Sequence, residues 1–402
     1  MKRILKSIFT GLALLATSGI AFSLETGGLL TNDTKLANVN KDDGLKLEQK
    51  NGINLWLRTP VNKDGSSYFA AEGSFTTDYK PYEDDSKKKL DLIGDLTLFK
   101  LVLKKELNSG NLVFSAGRFY NSDLSETIYT QNGDGAKLDV NVSKINLSFF
   151  GAFTGILNAK NVKILTAPAS VTSPDLSEKQ KTLYVVADKY AVGAVTFALP
   201  HIFASQTIAV EGLAALGLES KKYNRFYGTL ALNGPIVSPV FYAVSSTIGF
   251  AKYDENDMVK GNLTKASISV YPNYKSMAIS LNGLYASGKQ GPFEAFQGFT
   301  SGTAVNSLSE PEYSGVAKAG LSASIKPLPN FILLAGGDLV FDAKAGDKQS
   351  DIKHSGFQYT AGFNWQVVSD VSLGATFGQF IGTKDYSDDN KTQLRISAAI
   401  AF

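Results

Sequence analysis

The sequence predicts an all-β fold, a transmembrane antiparallel up-and-down β-barrel of about 18 strands. Three observations predict it. Apolar residues recur at every second position over most of the chain. Tight turns and long polar connections alternate between these segments, most regularly in the second half. Charge is sparse: Asp, Glu, Lys and Arg make up 19% of 402 residues, below the roughly 25% of ordinary soluble domains.

Residues 1–23 read as a secretory leader. Lys2, Arg3 and Lys6 form a basic start, IFTGLALLATSGIAF an apolar stretch, and Ala21-Phe22-Ser23 a cleavage site with small outer residues. The stretch is short for the roughly 20 residues of a spanning helix. Lys+Arg 40 nearly balances Asp+Glu 37, so the chain has no basic footprint for nucleic acid. Cysteine is absent, which excludes a disulfide framework, a thiolate metal site and a cysteine nucleophile. That absence suits an oxidising compartment.

The alternation is clearest at the end. In TQLRISAAIAF, Leu394, Ile396, Ala398, Ile400 and Phe402 share one face, opposite Gln393, Arg395 and Ser397. FQYTAGFNWQV places Phe357, Tyr359, Ala361, Phe363 and Trp365 on one side, and INLWLR alternates Ile53, Leu55 and Leu57 with Asn54, Trp56 and Arg58. AVGAVTFALPHIFASQTIAV carries no formal charge over the length of a membrane helix, but Leu199-Pro200-His201 interrupts it. Proline inside a helix costs about 3 kcal/mol and little in a turn, so this stretch reads as two strands and a turn. A soluble β-sandwich would show the same period. A face rich in Gly, Ser, Thr, Asn and charge, with Phe and Tyr toward strand ends, fits a barrel with a wet lumen and interfacial girdles. Strands crossing lipid must close their own hydrogen bonds, which requires a complete barrel. Counting back from Phe402 reaches about seventeen or eighteen candidates. The even numbers usual in bacteria select 18, with 16 the alternative, and either size leaves an aqueous channel. The uncertain places are Gly44 to Asn51, Gly155 to Lys181, and Val142-Ser143-Lys144, where the apolar parity flips.

The final alternating strand, with Leu394, Ile396, Ile400 and the terminal Phe402, resembles the assembly signal of Gram-negative outer-membrane β-barrels. That resemblance implies an outer-membrane location, with outer-membrane lipid and the barrel-assembly machinery as partners. Residues 24–43 are then expected to be a periplasmic N-terminal segment or small plug, and 44–402 the barrel. Oligomeric state stays open, a homotrimer included.

Parity points Arg58, Lys137, Arg225, Lys265, Lys318 and Arg395 into the lumen, with Glu72, Asp91, Asp95, Asp139, Glu211 and Asp338. Such a lining has no strong ion selectivity, because a pore reads its solute by diameter and wall groups. Some of these residues are equally readable as interior salt bridges that hold the wall. SAGRFYNSDLSETIYTQNGDGAKLDV, with its Gly117-Arg118 strand end, its loop and its Asp134-Gly135 strand start, resembles substrate-specific and alginate-export-like porins. The resemblance implies a loop of about fifteen residues folded into the pore, with Asp123, Glu126 and Asp134 on the acidic side of a constriction facing Arg118 or Arg58. The alternative is an ordinary solvated loop. The Pro-Glu-Phe-Gly-Gly run of the third loop of trimeric porins is missing.

Catalysis is not expected. His201 and His354 are the only histidines, neither set in a nucleophile–base arrangement. No cofactor or metal is expected either, since no Walker, Rossmann or EF-hand pattern occurs. The expected function is an outer-membrane porin for passive diffusion of small hydrophilic solutes. The alternative is a hydrophobic-solute, fatty-acid-like transporter with residues 24–40 as its plug, or a surface adhesin or receptor acting through its loops. Phe293, Phe296 and Phe299 in the largest loop read as exposed aromatics or as a packed lid.

Overall fold

A computed structural model describes residues 24–38, 44–82, 90–162, 164–166, 168, 182–219, 222–272, 276–288, 293–300, 308, 314–343 and 352–402. They form an 18-stranded, wholly antiparallel sheet in which every strand pairs with its neighbours in sequence. The first six strands are β1 (Glu25–Asn38), β2 (Lys46–Pro60), β3 (Tyr68–Tyr79), β4 (Leu90–Leu107), β5 (Gly110–Ser122) and β6 (Thr130–Val142). The next six are β7 (Ile145–Phe153), β8 (Tyr190–Leu199), β9 (Thr207–Gly217), β10 (Tyr223–Val237), β11 (Val240–Tyr253) and β12 (Val259–Val270). The last six are β13 (Met277–Ala286), β14 (Val316–Leu328), β15 (Phe331–Asp342), β16 (Lys353–Val368), β17 (Val371–Gly382) and β18 (Lys391–Ala401). The register Leu29↔Ala401 through Asn38↔Thr392 joins β1 to β18, so the barrel has no free edge. At that seam Gly28 and Phe402 exchange backbone hydrogen bonds of 2.8 and 3.0 Å.

This closure corrects the expectation for residues 24–43, whose segment 25–38 is the first wall strand rather than a periplasmic tail or plug. The barrel therefore begins ahead of residue 44. The strand escapes the period-two reading because Asn32 and Thr34 stand between Leu30 and Leu36 on the outward face. Asn32 is satisfied there by donating its amide to Asn51 Oδ1 at 2.7 Å. The leader expected over residues 1–23 lies outside the described residues.

The start of β1, the end of β18 and the tighter turns lie at one end of the barrel, and the longer connections at the other. The parity flip at Val142–Lys144 is one such turn, where Val142 pairs Ile145 and Ser143 takes φ +53°. The segment around Pro200 forms β8, a turn and β9, as its sequence implies, and His201, Ala204 and Ser205 take positive φ in the turn. Large apolar side chains at alternate positions are exposed on the outer face, among them Ile396, Ile400, Phe357, Trp365, Phe226 and Leu230. That is the arrangement required of strands facing lipid. No described helix is long and apolar enough to cross a membrane.

The wall opens between β4 and β5. Strand β4 pairs with β5 only from Phe99↔Arg118 to Leu107↔Gly110, whereas β5 stays paired with β6 as far as Ser122↔Thr130. Beyond Arg118 the β5–β6 hairpin leaves the wall, and the β7–β8 connection takes its place beside β4. Gly94 N–H donates to Leu183 O at 3.0 Å, and Asn158 Nδ2 donates to Gly94 O at 3.1 Å. The departure needs glycine at 117: φ is +114°, and a Cβ there would lie 1.9 Å from Phe99 O.

Candidate functional site

The departing hairpin carries its tip, residues 123–129, across the lumen. This inward loop is shorter than the expected fifteen residues, because the hairpin remains paired up to its base. Asp123 organises it. The buried carboxylate accepts hydrogen bonds from the backbone N–H groups of Ser125 (2.8 Å), Thr127 (3.1 Å), Ile128 (2.8 Å) and Tyr129 (2.8 Å), and from the Ser125 hydroxyl. A carboxylate so occupied holds a turn in shape.

Two charged wall residues on well-separated strands tether the loop. Leu124 N–H donates to Glu211 Oε1 of β9 at 3.0 Å, and Thr196 Oγ1 donates to the same carboxylate at 2.8 Å. From β12, Lys265 Nζ donates to Ser125 O at 2.8 Å and to Thr127 Oγ1 at 3.0 Å. Between the tethers Glu126 stands exposed with φ +54°.

A second layer seals one side of the loop. Residues 293–300 of the β13–β14 connection lie against it, with Thr300 N–H donating to Ile128 O at 3.0 Å and Leu165 N–H donating to Phe299 O at 2.9 Å. Phe299 stacks on Tyr129 with centroids 5.8 Å apart, and both are fully buried. Burial pushes the Tyr129 hydroxyl above its ordinary pKa. Phe296 and Phe299 thus form a packed lid, whereas Phe293 lies under the Lys260 ammonium at 5.2 Å. Arg225 reaches the lid from β10. Its guanidinium lies 4.0 Å from the Tyr223 ring, 4.7 Å from Phe299 and 5.2 Å from Tyr190, and Nη1 donates to Gly298 O at 2.9 Å.

The expected constriction residues fall in three different places. Only Glu126 of the acidic set faces open space. Asp123 is turned into its own loop, because its carboxylate caps the backbone there. Asp134 pairs with Arg118 through Nε–Oδ1 at 2.7 Å and Nη2–Oδ2 at 2.9 Å. That fork is buried where the hairpin leaves the wall, with Leu96 O and Ile156 O also accepting from Arg118. Arg58 lies at the opposite end, paired with Glu25 at 3.2 Å and stacked on Tyr68 at 4.4 Å, and so does not face the loop.

Many of the expected lumenal charges hold structure. Glu72 accepts from Thr97 Oγ1 at 2.9 Å, Asp91 pairs with Lys160 at 2.5 Å, and Asp95 accepts from Asn161 Nδ2 at 2.6 Å. Lys137 lies 3.4 Å from Asp139, and Arg395 Nε lies 2.8 Å from Asp33. Lys318 and Asp338 line the wall facing the loop tip. There, a cavity of about 500 Å³ lies between Leu124–Glu126 and strands β10–β16. Sequence reasoning missed Asp33, Lys35, Glu48, Lys50 and Lys100. The first four lie on β1 and the start of β2, where the alternation is weakest. Among the described residues no cluster of His, Asp and Glu could hold a metal ion.

No protein-family model and no curated protein matches the sequence. Among solved structures, the chain is similar to the outer membrane protein OprD from Pseudomonas aeruginosa, at 11% identity over 96% of this chain and 95% of that one, with a TM-score of 0.60. It is similar to Pseudomonas aeruginosa OccK2 (OpdF) in complex with glucuronate, at 11% identity, 94% and 96% coverage and a TM-score of 0.60. A BenF-like porin from Pseudomonas fluorescens Pf-5 gives 11% identity, 94% and 98% coverage and a TM-score of 0.62. At such identities the likeness establishes a shared barrel fold along nearly the whole of each chain.

Proposed function

We propose that this chain is a porin of a Gram-negative outer membrane, forming a water-filled channel through which small hydrophilic solutes diffuse passively. One observation carries the reading: a polar lumen crossed by a loop tied to Glu211 and Lys265 on its far wall. A loop that merely capped the barrel from outside would need no charged anchors deep in the wall. The shared fold with OprD and with the BenF-like porin supports the same reading. The fatty-acid-like alternative rested on residues 24–40 as a plug, and residues 25–38 lie in the wall instead.

In this reading the outer face meets lipid, the wall charges tune ion passage weakly, and the inward loop sets the narrowest part. Glu126 contributes charge to that constriction, while Asp123, Asp134 and Arg118 hold its shape. Residues 1–23 direct export, and the β18 end ending in Phe402 engages the assembly machinery. Planar-bilayer recording on purified protein, with liposome swelling in parallel, tests the proposal. Stable ion steps and hydrophilic solute flux are expected. A barrel that neither conducts nor swells vesicles overturns it.

A further inference from the structure

The cavity beside the loop tip has an orderly floor. Strand register aligns one lumenal row from Asn233 on β10 through Ala243, Ser267, Asn282 and Gly320 to Asp338 on β15. The next row places Ser245 beside Lys265. Adjacent strands stand about 4.8 Å apart, so polar groups recur along this floor at the scale of a sugar ring. Short residues keep it open. A Cβ on Gly320 would lie 1.8 Å from Asp338 Oδ1, so glycine there makes room for the carboxylate.

The hydrogen-bonding capacity is mostly uncharged. Asn233, Ser245 and Ser267 have no side-chain partner among the described residues, and Asn282 donates to Ser322 Oγ at 3.0 Å while its Oδ1 stays open. The charged groups oppose one another: Glu126 and Asp338 face Lys265 and Lys318, and Lys265 is already engaged by the loop. A solute with net charge is attracted by one pair and repelled by the other. A hydroxyl both donates and accepts, and so pairs with any of these groups.

We propose that this cavity binds neutral polyhydroxylated solutes of about hexose size, held by Asn233, Ser245, Ser267 and Asn282 and covered by the loop at Glu126. The volume falls within the roughly 300–1,000 Å³ of small-molecule sites. The proposal deepens the porin reading and rests on it for the route by which the solute arrives.

The test records single channels of the full-length protein with glucose and with glucuronate, the same ring bearing a carboxylate. Glucose is expected to interrupt the open current with a frequency that saturates, and glucuronate to need roughly tenfold more. Replacing Ser267→Ala and Asn282→Ala together removes two hydrogen bonds, which is expected to weaken glucose by about tenfold. Titration calorimetry of the detergent-solubilised barrel reads the same affinities without conduction, so a sealed barrel that still binds glucose overturns the porin reading alone. No glucose binding, equal or tighter glucuronate binding, or an unaffected double variant that keeps its folded electrophoretic mobility overturns this inference.

Discussion

On β18 and β1–β3 the lumenal face carries long, paired charges: Arg395 with Asp33, Lys35 with Glu48 at 3.4 Å, and Lys50 with Asp78 at 3.3 Å. On β10–β14 the same face carries mostly short hydroxyls and glycine, with Thr229 and Thr247 joined at 2.8 Å and Ser269 and Ser280 at 2.8 Å. Both sectors obey one period, and both turn apolar side chains outward. They differ in how far their side chains reach. Long ionic partners neutralise each other at the wall and occupy the space in front of it. Short side chains leave room, and it is toward this sector that the loop tip leans and beside which the cavity lies. Side-chain length, as much as charge, thus shapes the channel.

The comparison implies that ion pairs matter by burial rather than by number. The largest effect is expected at the base of the inward hairpin. Arg118→Ala strands Asp134 and Asp95 in a buried site, and breaking such a pair costs about 3–5 kcal/mol. Thermal unfolding followed by heat-modifiable mobility measures it. Arg118→Lys should rescue little, since one ammonium cannot reproduce a bidentate fork. A variant as stable as the parent would show that the hairpin is held elsewhere.

Next come the loop residues. Asp123→Ala removes one acceptor shared by several backbone donors, but once the loop opens the freed N–H groups turn to lumenal water, so the loss stays local and below that at Arg118. The expected outcome is a disordered loop, seen as noisier and larger conductance steps. Lys265→Met should act in the same direction but less strongly, since Glu211 still holds Leu124. Limited proteolysis within 123–129 ranks the two, and the reverse order would move the main tether from the cap to the wall. Glu126→Gln, by contrast, should leave stability unchanged and reduce cation preference, read as a shift in reversal potential across a salt gradient.

Much of this was legible in the residues, and what was not has identifiable causes. Alternation revealed the wall wherever one face is apolar throughout, as in β16 and β18, and the Pro200 turn was marked by its own chemistry. Strand β1 was hidden because Asn32 and Thr34 face outward, Asn32 donating to Asn51 on the next strand and Thr34 to Asn32 Oδ1 within β1. Asn233-Gly234-Pro235 resembles a turn, yet β10 runs through it to Val237 with a register shift after Pro235. The function of a lumenal charge was not legible at all. Parity aims Glu211 and Lys265 inward, but only the fold brings Leu124 and Ser125 to them, 87 and 140 residues away in sequence. Loop aromatics have no period, so the burial of Phe296 and Phe299 depends on contacts with β8, β10 and Tyr129 that no local pattern encodes.

The smallest stability effect is expected at Arg395, which tests the comparison from its other side. Its side chain is 57% exposed although Nε lies 2.8 Å from each Asp33 carboxylate oxygen and Nη2 also donates to Oδ2. Water and salt screen such a pair, and exposed ion pairs contribute about 0–1 kcal/mol. Arg395→Gln should therefore unfold at nearly the parent temperature. It also removes a positive charge from the lumen and leaves Asp33 uncompensated, so cation preference should rise, most at low ionic strength. If Arg395→Gln instead destabilised the barrel as much as Arg118→Ala, the β1–β18 seam would depend on that pair, and burial would no longer separate the structural charges from those that act on passing ions.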